Sequence, residues 1–440
     1  MHLSSIIVIL VDDRCFLFGI PWIKSCQEIR STWHVLPCLL GNFVPEEEKM
    51  KDYQALMDQV LRREVDAGNL PGASALVLHN GKEIYYGAFG MADKEQARPM
   101  ERDTIIRLFS MTKPVTSVAV MILAERGLID LHDPIAYYLP EFWNTKVWQD
   151  GEEAALKRPI TIWDLLNMTS GIPYPDEGHE PGRRMAKLFG ELVDRRLRGE
   201  TVTTRDYAKE IAKIPTCFQP GEKWMYGLSA DILGAMVEAV SGQRYGDFLK
   251  KEIFEPLDMK DTGFFVPEEK KDRFAQIYLY DQKQEKIAPS LDCHLAVYYG
   301  EDVAFESGGA GLVSTLDDYA HFAQMMIQGG VYNGKRILGS RTVAFMQKDA
   351  LTQAQKDDFY WNAPDGFGYG CLMRTLLDPV TEGVFGNTGV FGWDGWTGNF
   401  VVMDPKDQLV FLYFVQRGDF GNVNIVRRLR AVTMGALDEV

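Results

Sequence analysis

The chain has 440 residues, of which 46% are hydrophobic and 25% charged, enough apolar content to fill a large core and to exclude global disorder. Acidic residues number 62 and basic residues 47, and the resulting net charge of −15 argues against a surface that neutralises nucleic-acid phosphates. Six cysteines with no C-x-x-C pair exclude a disulfide framework or zinc ribbon, and isolated thiols suit a reducing, cytoplasmic setting.

Residues 3–11 and 15–23 are short apolar runs broken by Asp12, Asp13 and Arg14. Neither approaches the roughly 20 residues that span a bilayer, and only His2 precedes them, so a basic signal-peptide start is missing. From Met50 the texture changes: Tyr53, Leu56, Met57, Val60 and Leu61 take helical spacing with charges between them. Residues 1–49 are therefore expected to be an extension outside the fold, without a stable membrane anchor, and residues 50–440 the folded domain.

Next, 73–79 and 82–89 flank Asn80-Gly81, a strong hairpin signal because both positions tolerate positive φ. Residues 111–126 read as an apolar helix. The stretch of about 130–300 is rich in helical patterns, at 162–166, 207–212, 232–240 and 245–254, with Ser241-Gly242 as a helix stop. Strand patterns return at 368–376, 399–403 and 409–415, the last two joined by the turn former Asp404-Pro405-Lys406-Asp407. A final amphipathic helix presents Ile425, Leu429, Val432 and Ala436 on one face. The expected class is α+β: an antiparallel sheet built from N- and C-terminal segments, flanked by helices, with a mostly helical lobe inserted.

Several chemistries lack their motif. There is no G-x-S-x-G elbow, no P-loop and no H-E-x-x-H among the seven histidines. Asp176, Glu177, His179 and Glu180 read as a solvated polar loop. Ser110-Met111-Thr112-Lys113 is the single S-x-x-K in the chain. At the start of a helix, residues three apart share a face, so Ser110 Oγ and Lys113 Nζ can meet. The helix N-terminus favours developing negative charge, and a desolvated lysine can accept the serine proton. A capping serine followed by a surface lysine would have the same spacing.

The surroundings separate these readings. Ser110-Met111-Thr112-Lys113 and its apolar helix resemble the serine β-lactamase and penicillin-binding superfamily. So do Leu165-Leu166-Asn167-Met168-Thr169-Ser170-Gly171, Trp224-Met225-Tyr226-Gly227-Leu228, Asp231-Ile232-Leu233-Gly234, Pro256-Leu257-Asp258-Met259, Gly308 to Thr315 and Gly392-Trp393-Asp394-Gly395, in the family's order. The resemblance spans about 52–435 and is nearest in character to the class C β-lactamase-like group and its family VIII carboxylesterases. It implies Ser110 as acylated nucleophile, Lys113 as proton acceptor and Tyr226 as second base. It also implies an oxyanion site between the Ser110 N–H and the Trp396 N–H, one residue past Gly395.

Two departures bear on substrate. Leu228 stands where the lactamase pattern has Asn, and Trp393 where a Lys or His usually precedes the motif glycine; Met168 also replaces a usual His. Without that cation and amide, recognition of a β-lactam is weakened, and Trp393 and Leu228 are expected to line an apolar substrate pocket. The reading is a serine carboxylesterase of β-lactamase fold that acts on small esters or amides and needs no cofactor and no metal. The alternatives are a β-lactamase, D-aminopeptidase or acyltransferase of the same fold, with Arg417 as a replacement cation, or a catalytically silent penicillin-recognising homologue. Ser170 and Ser229 are expected to be structural.

Overall fold

Asn80 (φ 52°) and Gly81 (φ 75°) form the tight turn of the expected first hairpin. Its strands, β1 Gly72–His79 and β2 Lys82–Asp93, belong to an eight-stranded sheet to which Arg98–Pro99 adds a short edge, β3. The other five come from the far end of the chain: β4 Phe367–Gly370, β5 Met373–Leu376, β6 Phe391–Gly392, β7 Phe400–Asp404 and β8 Leu409–Val415. The spatial order is β4-β5-β6-β7-β8-β1-β2-β3 and all pairings are antiparallel. The last strand in sequence thus pairs with the first, from Leu409↔His79 to Val415↔Ala73, and the expected α+β sheet joining both ends of the chain is observed.

The computed structural model describes residues 7–11, 14–18, 52–290, 299–357, 366–418 and 423–437, in two units, Met1–Asp52 and Tyr53–Val440. In the first unit Ile7–Val11 pairs with Arg14–Phe18; the rest of the expected 1–49 extension lies outside the described residues.

Side chains alternate across a strand, and β8 is buried throughout, so it feeds two cores. Val410, Leu412 and Phe414 point to one, Leu409, Phe411, Tyr413 and Val415 to the other. Helices α1 Tyr53–Asp66 and α7 Val423–Ala436 cover the second face through Met57, Leu61, Ile425 and Leu429. The first face carries the larger core, which includes α2 Thr112–Glu125, α3 Ile162–Leu166, part of α4 Glu180–Leu197, α5 Ser229–Ser241 and α6 Leu316–Ile327. Gly242 ends α5 in the left-handed region (φ 68°), as its position after Ser241 implies. No helix among the described residues is long and apolar enough to cross a membrane.

One expected strand is corrected. Residues 368–376 are not continuous but form the β4–β5 hairpin, turning at Cys371 (φ 49°) and Leu372 (φ 61°). Neither residue favours such a turn. It is held from outside, because the Leu372 N–H donates to the Leu166 carbonyl (2.8 Å) and the Cys371 N–H to Asn167 Oδ1 (3.1 Å).

Candidate active site

Ser110 lies on a 3₁₀ turn, Phe109–Met111, that leads directly into α2. Phe109 before it has φ 46°, a left-handed conformation that costs a non-glycine residue about 1–2 kcal/mol. Burial of the Phe109 ring, edge-on to Trp396 at 5.3 Å, holds it there. Helix α2 is buried from Thr112 to Leu123, so Lys113, one turn along, has no route to solvent.

The Lys113 Nζ instead donates to Ser110 Oγ (3.2 Å), Tyr174 Oη (3.0 Å) and the Gly309 carbonyl (2.9 Å). Burial lowers its pKa to about 7, while the nearby charges of Asp231 and Asp394 pull in the opposite direction. Asp231, on the first turn of α5, is itself buried, and burial raises its carboxyl pKa. Its Oδ1 accepts from Ser307 Oγ (2.5 Å) and the Gly309 N–H (3.3 Å). A Cβ on Gly309 would lie 2.8 Å from Asp231 Oδ2 and 3.4 Å from Lys113 Nζ, so glycine is what lets carboxylate and amine approach.

Tyr226 immediately precedes α5. A Cβ on Gly227 would stand 2.0 Å from the Ile172 carbonyl, and this close passage brings Tyr226 beside Tyr174, with ring centroids 5.5 Å apart. The Tyr226 hydroxyl hydrogen-bonds with Ser110 and accepts from Trp393 Nε1 at 2.9 Å, while Lys113 Nζ lies 4.6 Å from its ring centroid. Burial pushes the Tyr226 phenol well above its ordinary pKa, so it is neutral at physiological pH.

The link between β6 and β7 closes the site. A Cβ on Gly395 would come within 2.5 Å of the Leu108 carbonyl, which brings Trp393, Asp394 and Trp396 against the Ser110 turn. Arg374 Nη1 pairs with Asp394 Oδ1 at 2.9 Å, and its guanidinium lies 5.3 Å from the Trp393 ring centroid. Ser110, Tyr226, Trp393, Gly395 and Trp396 line one cavity of about 380 Å³, with Lys113 buried behind the serine.

Other expected positions fall elsewhere. Leu228 does not line the cavity: the chain is already turning into α5 there, and the side chain is buried in the main core. Arg417 is also outside the cavity wall, donating to the Asn69 carbonyl at 3.0 Å. The hydroxyls of Ser170 and Ser229 are buried and bonded to each other at 2.9 Å. The stretch 176–179 is a polar loop, exposed over 176–178, as expected, and it leads into α4 at Glu180, where His179 Nδ1 accepts the Gly182 N–H (2.9 Å) and caps the helix. Among the described residues no three His, Cys, Asp or Glu converge as a metal site.

Tyr174, Asp231, Gly309 and Arg374 were missed as site residues by sequence reasoning. Asp231 and Gly309 stood within the motif blocks that carry the family resemblance, with no role of their own. Tyr174 lies three residues past Gly171, but nothing local ties it to a lysine 61 positions earlier.

A family model described as Beta-lactamase matches residues 57–433. Protein Rv1367c of Mycobacterium tuberculosis is 32% identical over 368 residues, covering 81% of this chain and 88% of that protein. Esterase EstB of Burkholderia gladioli is 31% identical over 371 residues, covering 80% and 86%. The solved structure of EstCE1, described as a hydrolase with promiscuous acyltransferase activity, superposes with a TM-score of 0.72 at 24% identity, covering 86% of this chain and 98% of that one; this likeness concerns the fold.

Proposed function

Because this chain belongs to the β-lactamase family and is a serine hydrolase of that family, we propose that it cleaves small carboxylic esters through an acyl-enzyme on Ser110. The observation that carries this reading is the buried Lys113 amine, 3.2 Å from Ser110 Oγ with its pKa lowered to about 7, behind a cavity whose wall, among the described residues, holds no lysine or arginine.

In its neutral form Lys113 has two N–H bonds and a lone pair. The Gly309 carbonyl and Tyr174 Oη take the N–H bonds, which leaves the lone pair for the Ser110 proton. Ser110 Oγ then adds to the ester carbonyl, and the N–H groups of Ser110 and Trp396 receive the oxyanion. Trp393 Nε1 donates to Tyr226 Oη, so the phenolic proton is directed away from the indole, toward Ser110 and the departing oxygen. Tyr226 gives this proton to the leaving alcohol and is reprotonated from Lys113. A water entering the vacated space runs the sequence in reverse to release the acid.

A cation recognising a substrate carboxylate is typically worth about 1.5–3 kcal/mol, roughly ten- to a hundredfold. Trp393 supplies none, and no lysine or arginine stands among the described residues of the cavity wall. We expect kcat/KM for p-nitrophenyl acetate to exceed that for a chromogenic cephalosporin by at least about two orders of magnitude. A fluorophosphonate probe should label wild type and not Ser110→Ala. Cephalosporin turnover equal to the ester rate would put the lactamase reading first, and no labelling would favour a silent homologue.

A further inference from the structure

The Ser110 cavity is acidic and aromatic. Its wall includes the carboxylates of Asp176 and Asp394 and the rings of Phe109, Tyr174 and Trp396. A sphere of 380 Å³ is roughly 9 Å across, about one Debye length at physiological salt, so both carboxylates act on any charge inside. Asp394 is paired with Arg374, yet its field still reaches the site and opposes the deprotonation of Lys113. Asp176 is exposed, accepts the Gly178 N–H, and makes no ion pair among the described residues. Burial pushes the neighbouring Cys217 thiol up to about 12, and the negative charge of Asp176 adds to the shift. An aromatic face already holds a cation here, with the Arg374 guanidinium 5.3 Å from the Trp393 centroid.

The side of the substrate that meets this field follows from the proposed roles of Ser110 and Tyr226, on which the inference rests. The acyl group stays on Ser110, and the alcohol leaves on the side of the group that protonates it. Tyr226 is bonded to Trp393, and Asp394 is the next residue along. We propose that the alcohol half of the preferred ester carries an ammonium group, held in the aromatic cavity opposite Asp176 and Asp394. The net charge of −15 steers such a substrate in and an anionic one away.

The test compares two acetates of one shape, the choline ester and 3,3-dimethylbutyl acetate, in which carbon replaces the quaternary nitrogen. The cationic ester should have the higher kcat/KM by about tenfold or more at low salt, and the ratio should fall as salt is raised. Asp176→Asn keeps an acceptor for the Gly178 N–H and should lower the ratio severalfold; Asp394→Asn should lower it as well. A ratio of one or less, or one that neither substitution moves, overturns the inference and leaves the esterase reading standing. Turnover of p-nitrophenyl acetate with neither aliphatic ester cleaved overturns it too. Failure of all three esters overturns the esterase reading and this inference with it.

Discussion

In the proposed mechanism Lys113 must lose its proton to serve Ser110, and burial, by lowering its pKa to about 7, brings that loss to near-neutral pH. The ammonium is inactive as a base, so kcat/KM for p-nitrophenyl acetate should rise as pH climbs through about 7 and level off above it. The Asp231 charge favours the ammonium, and Asp231→Asn should therefore move this limb to lower pH; a fixed midpoint in pH-rate profiles would place the ionisation on another group. Trp393→Phe keeps a ring against Tyr369 and removes the N–H that orients Tyr226. Loss of this hydrogen bond should lower kcat by up to about tenfold with little change in KM, as read by steady-state kinetics. At this scale Ser110 and Lys113 were legible because three positions on one helix bring them together. The Trp393–Tyr226 bond was not, since it joins side chains 167 positions apart.

The elements that carry the site depend on local devices of unequal legibility. Helix α3 starts on a capping box in which Thr161 Oγ1 accepts the Asp164 N–H and Asp164 Oδ2 accepts the Thr161 N–H. Asp164 also takes both guanidinium nitrogens of Arg158, at 2.6 and 2.8 Å. Thr161→Ala should cost about 1 kcal/mol of stability in denaturant melts, with Thr161→Ser close to wild type. The segment Ser307–Gly309 answers to packing instead. Gly309→Ala forces a Cβ between Asp231 and Lys113 and should lower kcat about a hundredfold, because misplacing the amine by an ångström is that costly. The Asn80-Gly81 turn was readable. Asp150 (φ 53°) and Gly151 (φ 86°) form a turn of the same kind between Lys146–Gln149 and Glu152–Ala155, which lay unread within a stretch taken as helical. The Cys371-Leu372 turn has no sequence signal, since its geometry is imposed by Leu166 and Asn167.

At the scale of the whole molecule, the family match begins at residue 57 and the second structural unit at Tyr53. We expect a chain beginning at Met50 to melt as the full chain does and to hydrolyse p-nitrophenyl acetate within about twofold of it. A marked loss of solubility or activity would assign residues 1–49 a part in the fold. The sequence by itself determined the α+β class, the sheet joined from both ends, and the Ser110–Lys113 pair, because these rest on periodicity, turn chemistry, motif order and spacing along one helix. Tertiary structure alone decided the surroundings of Lys113 and the lining of the cavity, on which the proposed base and the proposed preference rest. Complete burial of the amine, the opposing charge of Asp231, the Tyr174 and Gly309 contacts and the presence of Asp176 and Asp394 in one cavity wall with Ser110 all join segments distant in sequence. Desolvation and Coulomb energy depend on distances through space, which no local pattern encodes.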